Sequence, residues 1–189
     1  NEIKKMYKNN LTIKETFALA VQNHKENKLE NAENFYKKIL KINPKHFDSI
    51  YLLGTLLLQT KKFDEAKKKF QKAIQIQPNH ASLCNNYGAV LIELGEYQNA
   101  ISYCRKAIQI QPNYANAYNN LGSALKELEE YEKAINYFQK AIQIQPKYTN
   151  AYNNLGSALK ELEQYQKAIR YFQKAIQIQP DFTVAYCNL

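Results

Sequence analysis

A spacing of 34 residues constrains this chain more than any other feature. Prolines stand at Pro44, Pro78, Pro112, Pro146 and Pro180, glycines at Gly54, Gly88, Gly122 and Gly156, and alanines at Ala32, Ala66, Ala100, Ala134 and Ala168. Residues 115–148 and 149–182 are near copies, identical at 28 of 34 positions, whereas 81–114 shares 20 of 34 with 115–148. A chain with such a period does not build one central core, because each unit buries its faces against its neighbours. The period divides the chain into repeats at 13–46, 47–80, 81–114, 115–148 and 149–182, preceded by an N-terminal extension or short helix over 1–12. Residues 183–189 read as the start of a truncated sixth repeat.

Within a repeat the apolar pattern has helical period. In 115–148, Ala117, Leu121, Ala124, Leu125 and Leu128 form one stripe, and Tyr131, Ala134, Ile135, Phe138, Ala141 and Ile142 form a second. A break falls near Glu129–Glu130, and Pro146 ends the second helix, since proline cannot continue the hydrogen-bond ladder. Small residues at Gly122 and Ala134 permit close approach of the two helices, and Tyr131 and Phe138 supply bulk to fill the space between repeats. The expected fold class is all-α. The first repeat departs most, with Ala20 at the glycine place and Asn23 where Leu57, Leu91, Leu125 and Leu159 stand later, as a terminal repeat would.

The places held by Tyr118, Leu121, Gly122, Leu125, Ala134, Phe138, Ala141 and Pro146 resemble the signature of the tetratricopeptide repeat, with Tyr in place of the usual Trp. The resemblance covers 13–182. It implies a right-handed superhelical solenoid of antiparallel helix pairs in which the first helix of each pair lines a concave groove.

Catalytic chemistry finds no support. No G-x-S-x-G, HExxH, Walker or Rossmann pattern occurs, so no catalytic residue is named and no cofactor is implied. Cys84, Cys104 and Cys187 are an odd count without C-x-x-C spacing, which argues against a disulfide framework or a zinc site; Cys84 and Cys104 read as small buried hydrophobes. His46 and His80 sit at repeat ends, where Tyr114, Tyr148 and Phe182 follow in later copies, and read as amphipathic packing; His24 lies toward the end of a first helix. The longest apolar run, Tyr51 to Leu58, falls far short of the roughly 20 residues a membrane span needs. With no apolar leader in view, the expected location is the cytoplasm.

The net charge of +9 is concentrated toward the N-terminus: residues 1–46 carry 10 basic and 5 acidic side chains, whereas 81–148 carry 6 of each. This surplus suits an acidic partner, and equally a merely solvated Lys-rich surface. The lysines are scattered, Arg is scarce and no nucleic-acid motif is present, so no specific nucleic-acid partner is expected.

Asparagine is the residue that asks for a function. Asn85–Asn86, Asn119–Asn120 and Asn153–Asn154 recur at the fifth and sixth places of three consecutive repeats, and Asn188 extends the sixth-place series. Asn is a poor residue for a helix interior because its side chain competes for backbone hydrogen bonds. From sequence no folding role explains the pair. A carboxamide can pair with both the C=O and the N–H of an extended peptide. Packed helices lie about 8–10 Å apart and an extended chain advances ~3.3 Å per residue, so one Asn per repeat would hold a peptide backbone roughly every three residues. The peptide-groove candidates are therefore Asn86, Asn120 and Asn154, then Asn85, Asn119 and Asn153, with Asn116 and Asn150 beside them. Ser82, Ser123, Ser157, Lys126, Glu127, Lys160 and Glu161 align on the same side.

The sixth-place series is similar to the asparagine ladder of the O-linked N-acetylglucosamine transferase family, where such residues bind substrate backbones. Ala18 and Leu52 hold that place in the first two repeats, so a ladder would begin at Asn86. The lysines and arginines with which chaperone-binding members of the tetratricopeptide family clamp a C-terminal carboxylate are replaced by Tyr51, Asn85, Asn116 and Asn120. The leading expectation is a non-enzymatic scaffold for protein–protein interaction, its partner an extended peptide or protein segment. The N-terminal segment also resembles the start of bacterial proteins whose repeats recruit substrate for a glycosyltransferase or sulfotransferase domain. A third expectation is self-association through the open C-terminal face.

Overall fold

The computed structural model describes residues 11–189, and the expected short helix over 1–12 falls largely outside them. Among the described residues there are eleven α-helices and no strand, and they form two compact units that divide after Pro78.

The first unit contains α1 (Ile13–Lys25), α2 (Leu29–Ile42), α3 (Phe47–Gln59) and α4 (Phe63–Ile76). Each helix packs on the next. Its interior is built from Ala20, Tyr36, Ile39, Ile50, Leu53, Leu57 and Phe70, all essentially without solvent exposure. α1 begins with a capping box: the Thr12 hydroxyl accepts from the Glu15 N–H at 3.2 Å, and the Glu15 carboxylate accepts from the Thr12 N–H at 2.8 Å. Those Thr12 hydrogen bonds hold the Glu15 carboxyl below its usual range. Asn23, which replaces a core leucine, is buried and spends its carboxamide locally. It donates to the Leu19 carbonyl at 2.8 Å and accepts from Asn31 at 3.4 Å.

The second unit contains α5 (Ala81–Glu93), α6 (Tyr97–Ile110), α7 (Ala115–Glu127), α8 (Tyr131–Ile144), α9 (Thr149–Glu161), α10 (Tyr165–Ile178) and α11 (Thr183–Asn188). Consecutive helices pack together, and so do α5 with α7, α7 with α9 and α9 with α11. The first helix of each pair therefore touches the first helix of the next, which lets one face of these helices run on from repeat to repeat.

The turn inside each pair is set by backbone chemistry. Glu129 has φ +61°, the Glu130 N–H reaches back to the Leu125 carbonyl at 3.0 Å, and the Glu129 N–H reaches the Lys126 carbonyl at 2.9 Å. This is a Schellman ending. Asn27, Lys61, Gly95 and Glu163 take the same left-handed conformation at the equivalent places, and only Gly95 does so without a side-chain penalty. Within a pair, closeness depends on the absence of a side chain. A Cβ added to Gly122 would stand 2.7 Å from Cε1 of Phe138, a fully buried ring. Phe138 thus fills the interior of its own pair by lying on Gly122, a more local role than filling the space between repeats.

His46 and His80 correct the reading from sequence. Neither is placed for packing alone. Each caps a helix: His46 Nδ1 accepts from the Ser49 N–H at 3.2 Å, and His80 Nδ1 from the Leu83 N–H at 3.1 Å. An imidazole acceptor at this position satisfies one of the unpaired amides of the first turn, as Ser or Asp would. Tyr114, Tyr148 and Phe182, at the same place later, supply no such bond.

Candidate functional site: an asparagine ladder along α5, α7, α9 and α11

A helix advances 100° per residue, so the adjacent residues Asn119 and Asn120 project differently from α7. Asn119 is 6 % exposed, whereas Asn120 is half-buried. The difference is repeated at Asn85 and Asn86 and at Asn153 and Asn154. Packing of first helix against first helix then brings the sixth-place residue of one repeat to the fifth-place residue of the repeat before it. Asn120 Nδ2 donates to Asn85 Oδ1 at 2.9 Å, Asn154 Nδ2 to Asn119 Oδ1 at 3.0 Å, and Asn188 Nδ2 to Asn153 Oδ1 at 2.9 Å.

The asparagines are therefore partly structural, which the sequence did not reveal. Each buried fifth-place oxygen would be costly if unpaired, and the next repeat supplies its donor. In the same stroke the bond fixes the rotamer of the sixth-place side chain. Asn120 keeps its Oδ1 and one N–H without a partner among the described residues, as its carboxamide holds two donors and one acceptor oxygen. Asn154 donates to the Ser123 hydroxyl at 3.4 Å as well as to Asn119, leaving its Oδ1. Asn86 differs in that its Oδ1 accepts from Asn85 Nδ2 at 3.3 Å.

Around this line the other candidates divide. Asn116 and Asn150 are exposed. Ser157 turns its hydroxyl onto the Asn153 carbonyl at 3.0 Å, and Lys126 pairs with its neighbour Glu127 at 2.9 Å. No group of three or more His, Cys, Asp or Glu side chains among the described residues could hold a metal ion, and no helix is long and apolar enough to cross a membrane. Cys84 and Cys104 are fully buried, and burial pushes the Cys104 thiol up to about 12 and the Cys84 thiol upward too.

One feature escaped the sequence reading altogether. Two open clefts repeat on the second unit with the same register. One is lined by Tyr118, Lys133, Asn136, Tyr137 and Lys140 with Arg105, the other by Tyr152, Lys167, Arg170, Tyr171 and Lys174. The signal was present as tyrosine and lysine recurring 34 residues apart, but in a lysine-rich chain only the fold separates these lysines from the rest.

Comparison with known proteins agrees with this architecture. Tetratricopeptide repeat models match residues 79–147 and 149–182, and a model described as anaphase-promoting complex, cyclosome, subunit 3 matches residues 25–107. No curated protein matches the chain. Among solved structures it is similar to YrrB, described as a TPR protein with an unusual peptide-binding site. The identity is 26 % over 98 % of this chain and 95 % of that one, with a TM-score of 0.72. It is also similar to MamA, at 26 % identity over 87 % of this chain and 96 % of that one, with a TM-score of 0.73. A MamA fragment from Desulfovibrio magneticus RS-1, 23 % identical over 90 % of this chain and 96 % of that one, gives a TM-score of 0.78 and speaks for the fold alone. With paired helices repeating every 34 residues and repeat-family models covering more than half of its length, the chain belongs to the tetratricopeptide repeat family.

Proposed function

We propose that the second unit is a non-enzymatic scaffold that holds an extended peptide or protein segment along α5, α7 and α9 by its backbone. The observation that carries this reading is the state of Asn120 and Asn154. Each is half-buried, anchored to the preceding repeat through its amide nitrogen, and left with an amide oxygen that has no partner among the described residues. Such groups are already ordered, so a ligand's N–H pairs with them at little further entropic cost. Exposed Asn116 and Asn150 flank the row and would meet the same ligand. The similarity to YrrB, whose description includes a peptide-binding site, supports the choice of ligand class.

Random peptides of about twelve residues are to be selected on the whole chain, and the best binder then scanned by single backbone N-methylation and by single side-chain alanine substitution. A ligand read through its amides is sensitive to N-methylation at roughly every third residue and tolerant of most alanines. The triple variant Asn86→Ala, Asn120→Ala, Asn154→Ala should weaken it by about tenfold or more while circular dichroism stays helical. Unchanged affinity in the folded triple variant, or indifference to N-methylation, would refute backbone reading.

A second reading has its own observation. Val184, Tyr186 and Leu189, on and just after α11, are each 52–53 % exposed. Apolar exposure of that kind supports self-association. Sedimentation over a concentration series would then show reversible dimers, and Tyr186→Lys would abolish them.

A further inference from the structure

The two tyrosine–lysine clefts lie away from the ladder. Tyr118 and Asn120 are two positions apart on one helix, which turns them about 200° from each other. In each cleft a tyrosine of the first helix meets a tyrosine of the second helix of the same pair. The ring centroids are 6.4 Å apart for Tyr118 and Tyr137 and 6.3 Å for Tyr152 and Tyr171, at nearly the same interplanar angle. Tyr152 is further held by its hydroxyl, which donates to the Pro146 carbonyl at 3.3 Å. Cations from the second helix surround each pair. The open clefts hold about 420 and 490 Å³, and no carboxylate lines either.

Three cations line each cleft, but in the second none of them is paired with a carboxylate among the described residues, and the comparison of near-identical copies shows how. Of the six positions at which 149–182 differs from 115–148, three lie on or beside the second helix of the pair: Glu130 becomes Gln164, Glu132 becomes Gln166, and Asn136 becomes Arg170. All three shift charge in the positive direction. Only one of the other differences, Lys147 to Asp181, moves charge the opposite way, and it lies beyond the helix. The consequence is visible in the contacts. Lys133 is ion-paired with Glu130, but its counterpart Lys167 has only the neutral Gln164 amide at 2.9 Å. Lys140 and Lys174 likewise reach only glutamine oxygens, at 3.0 and 2.9 Å. Arg170 is exposed and has no partner among the described residues. At the second cleft, cations without a counter-charge among the described residues surround a tyrosine pair, a surface suited to an anion.

We infer that the clefts at Tyr118/Tyr137 and Tyr152/Tyr171 form a second docking row for an acidic peptide segment carrying aromatic or apolar side chains. Carboxylates pair with Lys167, Arg170 and Lys174, and an apolar side chain rests on the tyrosine pair. Charge complementarity selects the occupant: a short acidic peptide satisfies the local surplus without needing a basic surface beyond it. A nucleic acid would carry its charge across the whole face, where residues 81–148 have as many acidic as basic side chains. The row is independent of the backbone-reading ladder, so either can fail without the other.

The probe is a fluorescein-labelled peptide of about four Asp-Phe-Glu units, because three extended residues span about the 8–10 Å between packed helices. Fluorescence anisotropy with the whole chain should show saturable binding at about 50 mM salt, weakened about tenfold or more near 500 mM. Arg170→Glu with Lys174→Glu should reduce affinity by about tenfold or more, whereas Arg170→Lys with Lys174→Arg should retain it. Lys41→Glu with Lys45→Glu, an equal change of net charge in the first unit, should have little effect. The Asn120→Ala, Asn154→Ala variant should bind this probe normally, which separates the row from the ladder. Equal loss from the two glutamate pairs, equal binding of a neutral control peptide in which Asn and Gln replace the Asp and Glu of the probe, or tighter binding of an oligothymidylate of similar length would each overturn the proposal.

Discussion

Removing Asn85 and Asn120 together should harm the fold less than removing Asn120 alone. Asn120 Nδ2 donates to Asn85 Oδ1 at 2.9 Å, and Asn85 is 4 % exposed. Asn120→Ala strands that buried oxygen at a cost of about 1–3 kcal/mol, offset by about 0.5 kcal/mol from alanine's better helix propensity. The net destabilisation is about 0.5–2.5 kcal/mol. Asn85→Ala leaves the Asn120 donor without its acceptor and removes the donor to Asn86 Oδ1, but both groups are half-buried where water can reach, so it loses only about 1 kcal/mol of hydrogen bond less the same propensity gain. In the double variant no fully buried oxygen is stranded, the Asn86 oxygen being half-buried, and two propensity gains accrue, so stability returns close to the parent's. The expected coupling is therefore about 1–3 kcal/mol. Urea unfolding of the four proteins, followed by circular dichroism and fitted with separate repeat and interface energies, reads it in the interface term. Coupling below about 0.3 kcal/mol would mean that the two side chains do not interact and that the ladder is not a bonded structure. The same cycle protects the peptide-binding test, since it identifies which loss of binding is only loss of fold.

Four further outcomes are expected. Ser49→Ala should stabilise the protein by about 1 kcal/mol or more in urea unfolding, because the Ser49 hydroxyl is buried without a hydrogen-bond partner among the described residues; destabilisation would show that it has one. Gly122→Ala gains about 1 kcal/mol of helix propensity but drives a Cβ to 2.7 Å from the Phe138 ring, for a net loss of up to about 2 kcal/mol; a higher melting temperature would disprove the close approach. In the native protein a thiol reagent at mildly alkaline pH should label Cys187 quickly and Cys84 and Cys104 only after unfolding, since the first is exposed and the other two are buried with their thiols pushed upward; rapid labelling of all three would count against that packing. Burial raises Tyr36 and Tyr148 from 10.0 to about 12, so the folded state keeps protons that the unfolded state releases between those values; stability is full below pH 10 and falls as pH rises toward 12, and Tyr36→Phe with Tyr148→Phe should flatten the slope of urea midpoint against pH.

Much of this protein is legible in one dimension because its structure is nearly one-dimensional. The helices depend on apolar stripes, prolines and the Gly122–Phe138 register, all of which lie within a single 34-residue unit. Local chemistry of this kind needs no distant partner to be read. His46 and His80 were misjudged because a capping imidazole and a packing one look alike until backbone geometry shows which atoms face the first turn.

Residues acting between repeats could be noticed in the sequence but not understood from it. Asn119 and Asn120 stood out as unfavourable for a helix. Only the packing of α5, α7 and α9 showed that one is a buried acceptor and its neighbour a half-buried donor to the preceding repeat. The basic clefts needed the fold even more, because Lys167, Arg170 and Lys174 meet Tyr152 across two helices and are indistinguishable in the sequence from lysines that merely face solvent. The sequence determined the repeat, its helices and the chemical types on offer, since these follow from periodicity and local backbone preference. The tertiary structure decided which of those groups are spent on one another and which remain for a partner, because hydrogen-bond satisfaction and charge pairing are settled by distance in space.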